Sequence, residues 1–113
     1  MEYEELSPIS REEATDALSR DDDTYLLCQS LLRIALHDED GEWALERVGR
    51  YLFHANPEVR SVAVASIGYL VRIHRGIDVK RVLPALYALQ ADSYVAMRVR
   101  DTLEDIRQFT RAA

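Results

Sequence analysis

Residues 56–71 read NPEVRSVAVASIGYLV, and this stretch decides the fold. Asn56 followed by Pro57 is an N-cap with proline at the first helical position, which predicts that a long helix begins there. The helix is apolar almost all round, and Gly68 lies on its narrow polar strip, where another backbone should come close. A helix of this kind must be covered on both sides, so we expect it to be central. Its apolar positions are Val59, Val62, Ala63, Val64, Ile67, Leu70, Val71 and Ile73.

The apolar pattern of this helix recurs 36 residues away in both directions. The C-terminal copy is Asp92, Val95, Val99, Leu103 and Ile106, which match Asn56, Val59, Ala63, Ile67 and Leu70. The N-terminal copy is Leu27, Leu31 and Ile34, which match Ala63, Ile67 and Leu70. The capping signals and apolar spacing predict six helices, and the stretch quoted above is the fourth of them. Helices two, four and six carry the repeated pattern and are therefore expected to be equivalent, each preceded by a partner helix. The sequence predicts an all-α fold of three antiparallel helical hairpins stacked side by side.

Capping residues predict the other helix boundaries. Ser10 and Glu13 form a capping box that opens helix one, which should end near Ser19. The acidic run 21–23 favours the start of helix two, which should extend to about His37. Pro84 predicts a kink or a late start in helix five. The remaining expected bounds are Glu42 to His54 for helix three, Gly76 as the end of helix four, Asp78 as the cap of helix five, and Asp92-Ser93 to about Thr110 for helix six.

The stretch from His54 to Arg60, with Ala63, Ile67-Gly68 and Leu70 after it, resembles a HEAT repeat of the short type. The last repeat keeps Asp92 but has Ala96 where the family has arginine, and the first repeat lacks the Asn-Pro turn. The whole chain is similar to small bacterial HEAT-like proteins, on the segments 35–38, 67–74 and 105–106. That resemblance implies a HEAT-like α-solenoid and an immunity role beside a polymorphic or contact-dependent toxin.

Length and composition are those of one soluble domain. A chain of 113 residues with 48% hydrophobic and 30% charged residues suits a single domain over residues 1–113, with a flexible segment at residues 1–9. No apolar run approaches the ~20 residues that span a bilayer, so we expect no membrane contact. The acidic N-terminus is unlike a secretory leader, so we expect a cytoplasmic protein.

Charge divides the chain into two unlike halves. Residues 1–46 hold 14 acidic and 3 basic side chains, which gives −11, whereas residues 47–113 hold 6 acidic and 11 basic, which gives +5. An acidic half repels phosphate and favours a cationic partner. The basic side chains are scattered among acidic ones along helices, so we expect no nucleic-acid binding.

No motif indicates catalysis, a cofactor, a metal site or a small-molecule substrate. His37, His54 and His74 stand at predicted helix ends, where a helix dipole favours an imidazolium, and no metal-ligand spacing accompanies them. Cys28 is the single cysteine and lies in an apolar run, which is typical of a buried thiol. We therefore expect no enzyme.

Arg60 lies near the apolar flank of helix four. The HEAT resemblance implies that it pairs with an acid at a neighbouring turn, most plausibly Asp92, in a structural role.

The candidate partner-binding residues surround the predicted turn between helices two and three. Trp43 points away from the apolar centre of its helix, and a tryptophan rimmed by charge is typical of an interface. Two interpretations are open: the ring is an exposed anchor, or it folds back over helix one or two. The candidate site comprises Asp38, Glu39, Asp40, Glu42, Trp43 and Glu46.

Three functions fit these observations. The first is an immunity protein that binds and neutralises a basic toxin domain. The second is a general HEAT-repeat adaptor or assembly scaffold without a toxin partner. The third is an enzyme or lyase subunit, because short HEAT repeats also occur in relatives of bilin lyases. The acidic half favours the first.

Overall fold

The computed structural model describes residues 6–110, and within them every regular element is an α-helix. These residues contain six helices and no strand, so the predicted all-α class is confirmed. The helices are α1 (Arg11–Leu18), α2 (Thr24–His37), α3 (Gly41–Gly49), α4 (Pro57–Ile73), α5 (Leu83–Leu89) and α6 (Ala96–Phe109).

Side-chain caps start the first four helices. Ser10, Asp23, Asp40 and Asn56 each accept a hydrogen bond from a backbone N–H in the first turn that follows. These bonds satisfy donors that a helix start leaves without an internal partner. Pro57 stands at the beginning of α4 as expected, since proline has no N–H to satisfy there.

The end of α3 and the starts of α5 and α6 differ from the sequence expectation. α3 ends at Gly49, because the chain tightens into bonds between residues three apart, such as Tyr51 N–H to the Val48 carbonyl at 3.0 Å. α5 begins late, at Leu83, with Pro84 in its first turn. Asp78 and Asp92 do not cap helices: each accepts from the N–H two residues on and forms a turn. Val95 is buried just before α6.

The core is centred on α4, which packs against α2, α3 and α6. The central position expected for this helix is confirmed, although Ile73 at its end is 49% exposed. The remaining predicted core residues of the two C-terminal copies are buried: Val59, Ala63, Ile67, Leu70, Val99, Leu103 and Ile106.

Gly68 does allow a close approach, but by side chains and not by a backbone. A Cβ atom at this position would lie 3.1 Å from Asp105 Oδ2 and 3.4 Å from Thr102 Oγ1, both on α6. Thr102 is buried and donates its hydroxyl to the Val64 carbonyl at 3.0 Å. The absence of a side chain at Gly68 therefore allows Asp105 and Thr102 of α6 to pack against the middle of α4.

Side chains link the successive turns at one edge of the molecule. Arg60 Nε lies 2.9 Å from Asp92 Oδ2, and its Nη1 donates to the carbonyls of His54 and Ala55. The pairing expected for Arg60 is confirmed. His54 Nε2 lies 2.7 Å from Asp21 Oδ1, so this edge joins the turns before α2, α4 and α6.

The predicted flexible segment falls partly outside the described residues, which begin at residue 6. Leu6 and Ile9 pack against the core. Arg33 on α2 donates to the carbonyls of Ser7 and Pro8 at 2.8 and 2.9 Å. Residues 6–9 thus contact the side of α2.

Candidate functional site

The turn between α2 and α3, residues 38–43, is held by two of its own carboxylates. Asp38 Oδ1 accepts from the Asp40 N–H at 2.8 Å, and Asp40 Oδ1 accepts from the Trp43 N–H at 3.1 Å. The Asp38 side chain is only 11% exposed. Two of the candidate acids therefore hold the turn as well as facing a groove.

Arg11 on α1 crosses this turn and binds both carboxylates. Its Nη2 lies 3.4 Å from Asp38 Oδ1 and 3.2 Å from Asp40 Oδ2. Hydrogen bonding to Asp38 raises the pKa of the Arg11 guanidinium above its ordinary value. The Trp43 N–H, and then Arg11, lower the pKa of Asp40. The Asp40 carboxylate is thus stabilised in its charged form.

Trp43 is half-buried and lies among arginines. The guanidinium carbons of Arg11 and Arg47 lie 4.5 and 5.3 Å from its ring centroid, within the range of cation–π attraction. The ring also packs against the hydrophobic core. Of the two interpretations, the one in which the ring folds back over helix one agrees with its contacts, since Arg11 belongs to α1. The part of the ring that remains exposed is surrounded by charged side chains.

The remaining candidate acids are spread over two surfaces. Glu39 is exposed and makes no ion pair with any described residue. Glu42 is exposed, and its Oε1 accepts from the Asp78 N–H at 3.4 Å. Glu46 pairs with Arg50, the residue that follows α3.

Two open grooves meet at Arg11. The first, of about 910 Å³, runs between the α2–α3 turn and the end of α4. Its walls include Asp38, Glu39, Asp40, Glu42, His74 and Arg75. The second, of about 880 Å³, runs between α1 and α3, and its walls include Glu12, Glu13, Asp16, Trp43 and Arg47. The structure thus brings Asp38, Glu39, Asp40 and Glu42 together in the first groove. Trp43 lies in the second groove, on the other side of Arg11, and Glu46 lines neither groove.

Sequence reasoning missed the contribution of α1. The capping box of Ser10 and Glu13 indicates only where a helix starts, and no local pattern tells which turn the side chains of its first residues will reach. The approach of residues 74–78 to residues 38–42 does have a signal, since Glu42 and Asp78 are separated by the 36-residue repeat.

The histidines are in structural surroundings. His54 Nδ1 accepts from the Asn56 N–H at 3.0 Å while Nε2 faces Asp21. The His74 ring lies against Gly41, where a Cβ atom would come within 2.7 Å of it. Within residues 6–110, no three histidine, cysteine or acidic side chains are grouped closely enough to hold a metal ion.

The described helices include none long and apolar enough to cross a membrane. Fold and surface together define a small all-helical protein with two charged grooves that meet at Arg11.

A comparison of this fold with solved structures shows the family to which the chain belongs. The fold matches a chain in the crystal structure of a CDI (contact-dependent inhibition) complex from Cupriavidus taiwanensis, with a TM-score of 0.84 and 31% sequence identity. The match covers 96% of this chain and 97% of the other. The protein belongs to the same family as that chain. No protein-family model and no curated protein matches the sequence.

Proposed function

We propose that this chain is an immunity protein of a contact-dependent inhibition system, which binds a toxin in the cytoplasm and neutralises it without catalysis. The observation that carries the proposal is the likeness to a chain of a CDI complex over nearly the full length of both chains. The acidic N-terminal half supports a basic toxin domain as the partner, because opposite charges accelerate encounter and favour the correct pairing.

The proposed architecture is a HEAT-like stack of three hairpins, α1–α2, α3–α4 and α5–α6. The two helices of each hairpin contact one another, and α4 contacts both α2 and α6, which supports this arrangement. Stacking exposes the turns of successive hairpins along common edges, where a partner can bind several of them at once.

The proposed docking surface is the pair of grooves at the α2–α3 turn. Of the candidate residues, Asp38, Glu39, Asp40 and Glu42 line the first groove, Trp43 lines the second, and Glu46 lies outside both. Glu39 and Glu42 are the exposed carboxylates that a cationic partner would meet first. Trp43 offers a partly exposed aromatic edge, of the kind enriched in interface hot spots.

Growth protection tests this function. Candidate toxin domains from the genes that neighbour this one are each expressed in a sensitive bacterium with this chain or with its Ile67→Asp variant, in which a core charge is expected to prevent folding. We expect growth to be restored by the native chain only. Toxicity unchanged by the native chain would refute the immunity role, and an adaptor of another assembly would then be the better interpretation.

A further inference from the structure

Arg11 separates the two grooves and is part of both walls. Its side chain is 50% exposed, and three groups hold it: the carboxylates of Asp38 and Asp40, and the ring of Trp43. Among the described residues, no other ion pair or hydrogen bond of the Arg11 guanidinium is found. Arg11 and Asp40 are each about half exposed, and an ion pair as exposed as theirs contributes little to folding and exchanges readily.

The groups that hold Arg11 are positioned without it. Asp38 is fixed by the Asp40 N–H, and Asp40 by the Trp43 N–H. Trp43 is fixed by its own contacts with the core. Removal of Arg11 would therefore leave two carboxylates beside an aromatic ring, and these are the groups that bind a guanidinium in proteins.

A second feature of the first groove supports the binding of a partner there. The Nε2 atom of His74, a wall residue, is buried and has no hydrogen-bond partner among the described residues. Buried polar atoms are seldom left without a hydrogen-bond partner, so this wall of the groove carries a polar atom that the chain itself does not satisfy. The exposed acids Glu12, Glu13, Glu39 and Glu42 line the same pair of grooves.

We propose that Arg11 is an internal stand-in for an arginine of the partner, which binds Asp38, Asp40 and Trp43 in its place. When Arg11 swings out, the two grooves become one continuous acidic channel across α1 and the α2–α3 turn. Arginine suits this site better than lysine, because its planar group can stack on the indole and bind two carboxylate oxygens. The inference rests on the proposed basic partner and names the group that the partner supplies.

Trp43 is the only tryptophan, so its fluorescence reports on this site alone. The probe is acetylated triarginine amide, which is titrated into the native chain and into Arg11→Ala. The corresponding trilysine peptide is titrated separately, to compare an ammonium with a guanidinium. We expect Arg11→Ala to bind triarginine about tenfold more tightly, since the internal competitor is gone. The matched control is Arg98→Ala, which removes the same charge from an exposed position on α6 that lines neither groove.

Equal or weaker binding of triarginine by Arg11→Ala, or equal binding of trilysine, would overturn the inference. A melting curve for each variant checks folding, and Asp38→Asn gives an independent arm. That variant keeps the acceptor for the Asp40 N–H but removes the charge, and we expect it to lose triarginine binding. Growth protection without triarginine binding would reject the arginine exchange alone, whereas failed protection with retained peptide binding would reject the immunity role alone.

Discussion

Single residues hold this protein together at two places, the middle of α4 and the edge where successive turns meet. Ile67 has no exposed surface and lies in the core between the helices that pack on α4. Its removal leaves a cavity that the surrounding helices can only partly fill. We expect Ile67→Ala to lower the free energy of unfolding by about 2–5 kcal/mol, measured by urea denaturation. A loss below ~0.5 kcal/mol would contradict the packing described here.

Arg60 acts at the other place, and its contacts are structural. The side chain is 15% exposed and binds Asp92 and two carbonyls of the preceding turn. Truncation would leave these acceptors without their donor, so Arg60→Ala should cost about 2 kcal/mol. Arg98→Ala, an exposed arginine without an ion pair among the described residues, is the control.

The affinity of Arg60→Ala for the partner shows whether Arg60 stabilises the fold or contacts the partner. The folded fraction of Arg60→Ala should bind the partner as tightly as the native chain, because Arg60 lies at the edge away from the α2–α3 turn. A variant that melts like the native chain but no longer binds would reverse this assignment.

At the scale of elements, the α2–α3 turn should respond to acid. The folded-state pKa of Asp40 is depressed, so its contribution to stability is complete above the unfolded value of about 3.9 and is lost as the pH falls through the lower folded value. Asn remains a good N-cap, so Asp40→Asn removes mainly the charge.

Urea denaturation from neutral pH to about pH 3 measures this contribution. The native chain should be more stable than Asp40→Asn near neutrality, and the gap should close on acidification. Asp16→Asn controls for net charge, because Asp16 is exposed and its one ion pair within residues 6–110 is with Arg20. A gap that stays constant with pH would exclude the charged cap as its source.

Elements with strong local signals were predictable from the sequence. Asn56 and Pro57 mark the start of α4, and the apolar spacing found its buried face. α5 and α6 begin later than their acidic turns indicated, because Asp78 and Asp92 bind the N–H two residues ahead and close turns instead. The early end of α3 has no signal at Gly49 beyond the glycine itself, since the tight turn that follows depends on tertiary packing.

The candidate site was predictable only in part, for the same reason. The acids of the α2–α3 turn share one groove because they are close in sequence. Arg11 reaches them from 27 residues away, and that contact depends on how α1 packs across the turn. The arginines around Trp43 likewise depend on this packing, so the sequence left the position of its ring open.

The whole molecule has an acidic half and a basic half, and the acidic half should govern association. Replacing Glu39 and Glu42 by glutamine removes two exposed charges without disturbing Asp38 and Asp40. We expect association with a basic partner to slow severalfold and to depend less on salt, because exposed charges act mainly on the encounter rate. Stopped-flow mixing measures the rate at several ionic strengths.

A matched double variant, Asp101→Asn with Glu104→Gln, makes the same change of net charge on the exposed face of α6. Its association rate should stay closer to that of the native chain. Equal slowing by both variants would mean that net charge, and not the groove, steers the partner.

The central claim is that this chain binds the toxin of its own system directly and tightly. The most direct measurement is a calorimetric titration in which the purified chain is added to the purified toxin domain that growth protection identifies. We predict a one-to-one complex with a dissociation constant of about 10⁻⁸ M or lower, the affinity of a specific interface of standard size. No heat of binding, together with separate elution of the two proteins on gel filtration, would contradict it.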